Sequence, residues 1–139
     1  MPSSPFCPCG RADAKGRPLA YDVCCGRYLD HFDVIPAPDA ESLMRSRYSA
    51  FVRENAPYLL ATWHASQRPQ TLDFDAGTRW LGLEVRSHTL QDPTHAQVEF
   101  VARLRDAGGR ASRLHEKSRF VRESDSAGVP RWYYLDAAG

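Results

Sequence analysis

The chain has 139 residues, of which 42% are hydrophobic and 25% charged, and its formal net charge is +1. This composition is typical of one compact globular domain with room for a small appendage, and the near-neutral charge gives no general attraction to nucleic acid or anionic membranes. No apolar run approaches the roughly 20 residues of a membrane span, and the start of the chain lacks the basic and apolar regions of a signal peptide.

All four cysteines lie near the start of the chain, in a part that we call the cysteine segment (residues 1–35). They form two close pairs, Cys7 with Cys9 and Cys24 with Cys25. Each pair is too tight for a comfortable internal disulfide, whereas two pairs joined by a loop can offer four thiolates to one tetrahedral Zn²⁺. Because four sulfur ligands leave no open coordination position, the predicted zinc site is structural rather than catalytic.

Two other uses of these cysteines are weaker alternatives. Disulfides between the pairs would suit a secreted peptide. A redox role for Cys7 and Cys9 would need an accessible thiolate with a lowered pKa. Free cysteines on a chain without an export signal indicate the reducing cytoplasm, so we expect a cytoplasmic zinc protein.

The helical part follows a connector that contains Pro36 and Pro38. Asp39 is a favourable N-cap, and apolar residues recur at three- and four-residue spacing from residue 40 to about residue 55, which predicts an amphipathic helix. A second, shorter helix is expected from Pro57 to about residue 64. A turn or short helix is expected over residues 70–76.

From Arg79 onward the apolar period changes to two, which is the pattern of half-buried strands. Four strands are predicted, over residues 80–89, 95–105, 110–123 and 131–136, and Leu81, Leu83 and Val85 should share one face of the first. Short connections favour an antiparallel meander. Helices followed by such a sheet predict an α+β fold in which the helices pack on the sheet.

Several motifs together resemble the YchJ-like family of bacterial proteins. They are CPCG and CCGRY in the cysteine segment, LMRSRYSAF (residues 43–51), YLLATWH (58–64), WLGLEV (80–85), EKSRFVRE (116–123) and RWYYLD (131–136). The cysteine motifs are similar to the SEC-C motif, the zinc-binding tail of the SecA translocation ATPase, although the loop over residues 10–23 is longer than is typical there.

The resemblance implies a nuclear transport factor 2-like fold, in which helices cover a strongly curved antiparallel sheet and enclose a cone-shaped cavity. On this basis we expect residues 1–35 to form a SEC-C-like zinc-binding segment and residues 36–139 to form the α+β domain. Within that domain, six residues are candidates for the cavity: Tyr48, Trp63, His64, Trp80, Glu116 and Trp132.

The candidates have ordinary structural explanations as well. The Glu116 carboxylate could face the apolar side of the sheet as a general base or ligand anchor, but a structural carboxylate paired with an arginine such as Arg45 or Arg47, or one at a sheet edge, is the commoner case. A histidine such as His64 at a helix C-terminus more often caps carbonyl groups than acts in acid–base chemistry. The aromatic candidates are more often core residues than ligand contacts.

The resemblance to the SEC-C motif implies contact with another protein, because the similar tail of SecA is a docking element for the SecB chaperone and the ribosome. We therefore expect a zinc-binding module with a protein partner and a small or peptide-like ligand. The alternatives are a small enzyme using Glu116 with His64 or Tyr48 for proton transfer or hydrolysis, and a zinc site that only stabilises the fold.

A basic strip of β-strand residues is more simply a solvated face than a site for RNA or an acidic partner; it consists of Arg113, His115, Lys117 and Arg119.

Overall fold

The computed structural model describes residues 5–138 of the chain. Three α-helices follow a short 3-10 helix (Tyr21–Val23): α1 (Gly26–Leu29), α2 (Ala40–Val52) and α3 (Ala56–Ala61). Four strands then form an antiparallel sheet in chain order: β1 (Arg79–Asp92), β2 (His95–Arg105), β3 (Ala111–Ser124) and β4 (Pro130–Ala137). The predicted α+β fold and meander are confirmed. Across residues 5–138, each helix is too short or too polar to cross a membrane.

Helix α2 begins where the sequence predicts. The Asp39 carboxylate accepts a hydrogen bond of 2.7 Å from the Ser42 backbone N–H, which satisfies one of the free donors of the first turn. The helix ends at Val52, earlier than expected, because Glu54 adopts a left-handed φ of 53°. Asn55 then caps α3 through the Tyr58 N–H at 3.1 Å.

We expect the substitution Asp39→Ala to lower the free energy of unfolding by about 1 kcal/mol, because the first turn of α2 would lose its capping acceptor. Urea denaturation followed by circular dichroism measures this change. Asp73→Ala removes an exposed carboxylate that caps no helix, and it serves as the control. Equal unfolding midpoints for the two variants would contradict the assigned cap.

Between α3 and β1 the chain forms turns at residues 65–67 and 76–77 and is otherwise mostly extended. After α3 the backbone pairs with β4, since Tyr134 N–H donates to Thr62 O at 2.8 Å and His64 N–H donates to Tyr134 O at 2.7 Å. The expected turn or short helix over residues 70–76 is not a helix, and a turn occupies only its end, at residues 76–77. Leu72 and Phe74 pack against the core while their neighbours are exposed, and this period of two is that of extended chain.

Strand β2 shows the predicted alternation, with Ala96, Val98, Phe100 and Ala102 buried. Strand β1 departs from it, because a register shift against β2 falls between Trp80 and Gly82. The shift leaves Leu81 52% exposed, whereas Leu83 packs against the core. The prediction that Leu81 shares the face of Leu83 is therefore wrong, since a bulge interrupts strict alternation.

A continuous apolar core joins the cysteine segment to the α+β layers. Its buried members include Leu43 of α2, Leu59 of α3 and Phe120 of β3, and the same cluster contains all four cysteines. Helix α2 contacts both α1 and the sheet. The cysteines are thus part of the main core and do not form a detached appendage.

Candidate metal centre and ligand cavity

The cysteine segment reverses direction so that its two cysteine pairs meet. Cys7 N–H donates to Leu19 O at 2.8 Å, and Leu19 N–H donates to Arg11 O at 3.0 Å, which holds the two arms of the loop together. Gly10 closes the turn after the first pair with a φ of 76°, a left-handed conformation that favours glycine. The 3-10 helix and α1 place Cys24 and Cys25 opposite this turn.

The four sulfur atoms have the spacing of a metal site. All four Sγ atoms lie within 4.8 Å of one another, no cysteine is more than 6% exposed, and Cys9 Sγ lies 3.6 Å from Cys24 Sγ. Tetrahedral Zn–S bonds of about 2.3 Å would separate the sulfurs by about 3.8 Å, whereas a disulfide joins them at about 2.05 Å. All four cysteines are free thiols, so the donor set fits one tetrahedral divalent ion.

Four buried thiols so close together cannot all ionise alone. Hydrogen bonding with Cys24 and with Cys25 lowers the pKa of Cys9 to about 7, against the opposite effects of Cys7 and of burial. Its hydrogen bond to Cys24, its contacts with Cys7 and Cys9, and burial raise the pKa of Cys25 above its ordinary value. A cation in the cluster would stabilise all four thiolates at once.

Helix α2 supports the cysteine cluster from outside. Arg45 Nη1 donates to Cys9 O at 3.1 Å, and Ser49 Oγ lies 3.5 Å from Cys7 Sγ. Arg27 Nε donates to Cys24 O at 3.0 Å from the other side. The sequence gives no signal for the contacts of Arg45 and Ser49, because 36 and 42 residues separate them from their partners.

A partly enclosed cavity of about 230 Å³ lies between α2 and the inner face of the sheet. Four of the six residues predicted for a cavity line it: Tyr48, Trp63, Trp80 and Glu116. The other lining residues are mostly apolar or aromatic: Met44, Arg47, Phe51, Phe100, Ala102, Leu114, Ser118, Phe120 and Tyr134.

Glu116 places a carboxylate on the wall of this cavity. Its Oε2 accepts hydrogen bonds from Ser118 Oγ at 2.5 Å and from the Tyr134 hydroxyl at 3.2 Å. The predicted ion pair with Arg45 or Arg47 is wrong. Arg45 is held by Glu41 at 2.8 Å, and the hydrogen bonds of Arg47 go to Leu59 of α3 and to Thr62 directly after it.

Arg47 is a cavity residue that the sequence analysis missed. It is 6% exposed, and its Nη1 donates to Leu59 O at 2.8 Å and to Thr62 Oγ1 at 2.7 Å. Its guanidinium carbon lies 4.7 Å from the centre of the Tyr134 ring and 5.2 Å from that of Trp63. Burial lowers the pKa of Arg47 to about 10, so the group is charged at neutral pH.

A sequence signal for Arg47 did exist. Met44, Arg47 and Phe51 are spaced by three and four residues, so the arginine lies on the apolar stripe of α2. A charged residue on an apolar helix stripe is either exposed, where the stripe is interrupted, or buried together with its hydrogen-bond partners.

Two predicted candidates lie outside the cavity. His64 Nδ1 lies 2.7 Å from Ser66 Oγ, and its Nε2 pairs with the Glu123 carboxylate. Trp132 is 8% exposed and packs in a separate small cleft beside Phe32. The structure therefore does not bring His64 or Trp132 to Glu116.

The basic strip on β3 is exposed and partly neutralised. His115 Nε2 lies 2.7 Å from a Glu99 carboxylate oxygen, and Arg119 makes two contacts of 2.6 Å with Asp136. This arrangement agrees with a solvated outer face.

Comparison with known proteins identifies the chain's relatives. Residues 39–137 match the family model described as YchJ, middle NTF2-like domain. The chain is 67% identical to a UPF0225 protein of Polaromonas sp. (strain JS666), covering 94% of this chain and 90% of that one. It is 56% identical to a UPF0225 protein of Bordetella pertussis, covering 97% and 94%.

Two solved structures share the fold. A SEC-C motif containing protein from Psychrobacter arcticus is 38% identical with a TM-score of 0.80, covering 96% of this chain and 82% of that one. A SEC-C motif containing protein from Rhodopseudomonas palustris is 30% identical with a TM-score of 0.75, covering 97% and 98%. The resemblance noted in the sequence is thereby confirmed, and this chain belongs to the YchJ-like family, with its NTF2-like domain and SEC-C-type cysteine cluster.

Proposed function

We propose that this protein is a cytoplasmic zinc-binding module that recognises a protein partner through its cysteine segment and a small ligand through the cavity. The observation that carries the proposal is the cluster of four buried sulfurs within 4.8 Å of one another. Cys7, Cys9, Cys24 and Cys25 would hold one Zn²⁺ in a closed, structural site. Four free thiols suit a reducing compartment, which supports the cytoplasm.

The chemistry of the cavity favours binding over catalysis. Glu116 is the carboxylate there, and of its two expected acid–base partners His64 pairs with Glu123 instead, which leaves Tyr48 beside it in the cavity lining. Burial raises the pKa of Tyr48 to about 12 and also raises the pKa of Tyr134. Both hydroxyls would stay protonated, and since Tyr134 donates to Glu116, the donor to a ligand would be the Tyr48 hydroxyl. The volume of about 230 Å³ is below the about 300–1,000 Å³ of drug-sized sites, so the ligand would be small.

The proposed partner surface is the exposed side of the cysteine segment. Large apolar side chains are exposed on this segment: Phe6, which precedes Cys7, is 69% exposed, Val23, which precedes Cys24, is 57% exposed, and Val34 is 75% exposed. Apolar groups exposed on a metal-stabilised segment can bind a complementary protein surface without unfolding the rest.

A pull-down with quantitative mass spectrometry tests the partner role. The Phe6→Ser, Val23→Ser double variant should keep its zinc and lose at least about tenfold in partner recovery, while the Cys24→Ser, Cys25→Ser variant should lose both. Leu90→Ser, at an exposed site on β1, is the matched control and should recover the partner normally. Equal recovery by wild type and the Phe6, Val23 variant would refute the proposed docking surface.

A further inference from the structure

We infer that the cavity recognises the carboxylate of a small, largely apolar organic acid, through the guanidinium of Arg47 and the indole N–H of Trp63. This inference rests on the proposed ligand-binding role of the cavity and names the class of ligand. It comes from two residues that line the cavity: Arg47, which has no carboxylate within ion-pair distance in residues 5–138, and Trp63, whose buried indole N–H has no hydrogen-bond partner there.

The first group is Arg47. Within residues 5–138, no carboxylate oxygen lies within 4.0 Å of its guanidinium nitrogens, although the side chain is buried. By contrast, the buried Arg131 has Asp125 at 2.6 Å and the half-buried Arg45 has Glu41 at 2.8 Å. Burying a cation without a counter-ion is unfavourable, so an anion in the cavity would stabilise this site.

The hydrogen bonds of Arg47 also leave donors free. Both of its hydrogen bonds to protein acceptors use Nη1. In the described part of the chain, Nε and Nη2 have no protein acceptor. An arginine held through one nitrogen and open at the others can bind the two oxygens of a carboxylate side by side.

The second group is Trp63. Its Nε1 is buried and has no hydrogen-bond partner among residues 5–138. An indole N–H can only donate, so its requirement is an acceptor atom. The Trp63 ring lies 5.2 Å from the Arg47 guanidinium carbon and lines the same cavity. One ligand group with several acceptor oxygens and a negative charge would serve both residues.

The position of Glu116 decides where in the cavity that group would bind. The Glu116 carboxylate accepts a hydrogen bond from the Tyr134 hydroxyl, whereas the guanidinium carbon of Arg47 lies 4.7 Å from the centre of the ring of the same tyrosine. The Arg47 guanidinium therefore lies beside the ring of Tyr134 and the Glu116 carboxylate beside its hydroxyl, near enough for the two charges to attract each other. A ligand carboxylate would lie at the Arg47 end, and its apolar body would lie against the aromatic walls.

The rest of the wall sets the nature of the ligand body. The lining is mostly apolar and aromatic, which disfavours a strongly hydrated inorganic anion such as phosphate. The cavity of about 230 Å³ exceeds the roughly 150 Å³ that suffices for benzene in an engineered protein cavity. A carboxylate on one six-membered ring is therefore of suitable size.

Titration of the full chain, followed by the NMR signal of the Trp63 indole N–H, tests this inference. Benzoate and benzamide have the same shape and size but differ in charge. We expect benzoate to bind at least about tenfold more tightly than benzamide and inorganic phosphate, and to shift the indole signal. Equal affinities for benzoate and benzamide would overturn the carboxylate assignment while leaving a ligand-binding cavity. Binding of neither would overturn both, and phosphate binding as tightly as benzoate would overturn the organic-acid assignment.

Variants locate the binding groups. Trp63→Phe keeps the ring and removes the N–H donor, so benzoate affinity should fall about fivefold or more while benzamide affinity changes less. Arg47→Met should abolish the preference for benzoate. If Arg47→Met unfolds because it loses the contacts of Arg47 to α3, Trp63→Phe alone still tests the inference. Glu116→Gln removes a nearby negative charge and should raise benzoate affinity. Arg119→Met is the control, because Arg119 lies outside the cavity, and it should leave the affinity for benzoate unchanged. If Trp63→Phe also leaves the affinity for benzoate unchanged, the assignment of the indole N–H as a donor is refuted.

Discussion

Removal of the proposed zinc ion is expected to cost this protein several kcal/mol of unfolding free energy and to lower its melting temperature strongly. The reason is that the four cysteines belong to the main core, together with Tyr21 and Leu29. Without the metal, that core would contain four crowded thiols that cannot all ionise. Isolated zinc-finger peptides gain about 10–16 kcal/mol from their metal, and a smaller loss is expected here because the sheet provides its own core.

Metal analysis and thermal unfolding together check this expectation. The purified protein should contain one zinc per chain, lose it to a chelator and regain its melting temperature when zinc is added back. Cys25→Ser should abolish stoichiometric binding. Val23→Ser, an exposed neighbour of the cluster, should retain both metal and stability. A metal-free protein with oxidised thiols, or an unchanged melting temperature after chelation, would disprove the zinc site.

Much of the fold could be predicted from local patterns. The Asp39 cap, the apolar stripe of α2 and the alternation of β2 are each set by residues close together in sequence, and the structure has all three. The errors come from tertiary contacts. The end of α3 is decided by pairing with Tyr134 of β4, and the exposure of Leu81 by a register shift against β2. Neither partner can be recognised from the local sequence.

The candidate sites divide in the same way. The cysteine cluster can be predicted from the sequence because the cysteines of each pair are close together in the chain and a single loop joins the two pairs. The cavity is lined by residues from α2 and all four strands, and the sequence does not show how these elements pack together. It could therefore identify Tyr48, Trp80 and Glu116 only as polar or aromatic residues on the faces expected to point toward the core. Arg47 was missed because charge normally marks an exposed helix face, whereas tertiary packing buries it here.

Arg131 connects the cysteine segment's end to the sheet. The side chain is 7% exposed, its Nη1 donates to Phe32 O at 3.0 Å, and its Nη2 donates to Asp33 O at 3.3 Å. Its guanidinium carbon also lies 4.5 Å from the centre of the Phe32 ring. These contacts join residues almost 100 positions apart in the chain.

The substitution Arg131→Met is expected to lower the free energy of unfolding by about 2–3 kcal/mol, because methionine cannot make the charged hydrogen bonds of the buried Arg131 side chain to Phe32 O, Asp33 O and Asp125. Urea denaturation measures the loss, and hydrogen exchange should show faster opening near Phe32. Arg119→Met is the matched control, since Arg119 also pairs with a carboxylate, Asp136, but at an exposed site. Exposed ion pairs contribute little to stability, so its effect should be much smaller. Similar losses in the two variants would mean that burial of Arg131 does not hold the cysteine segment to the sheet.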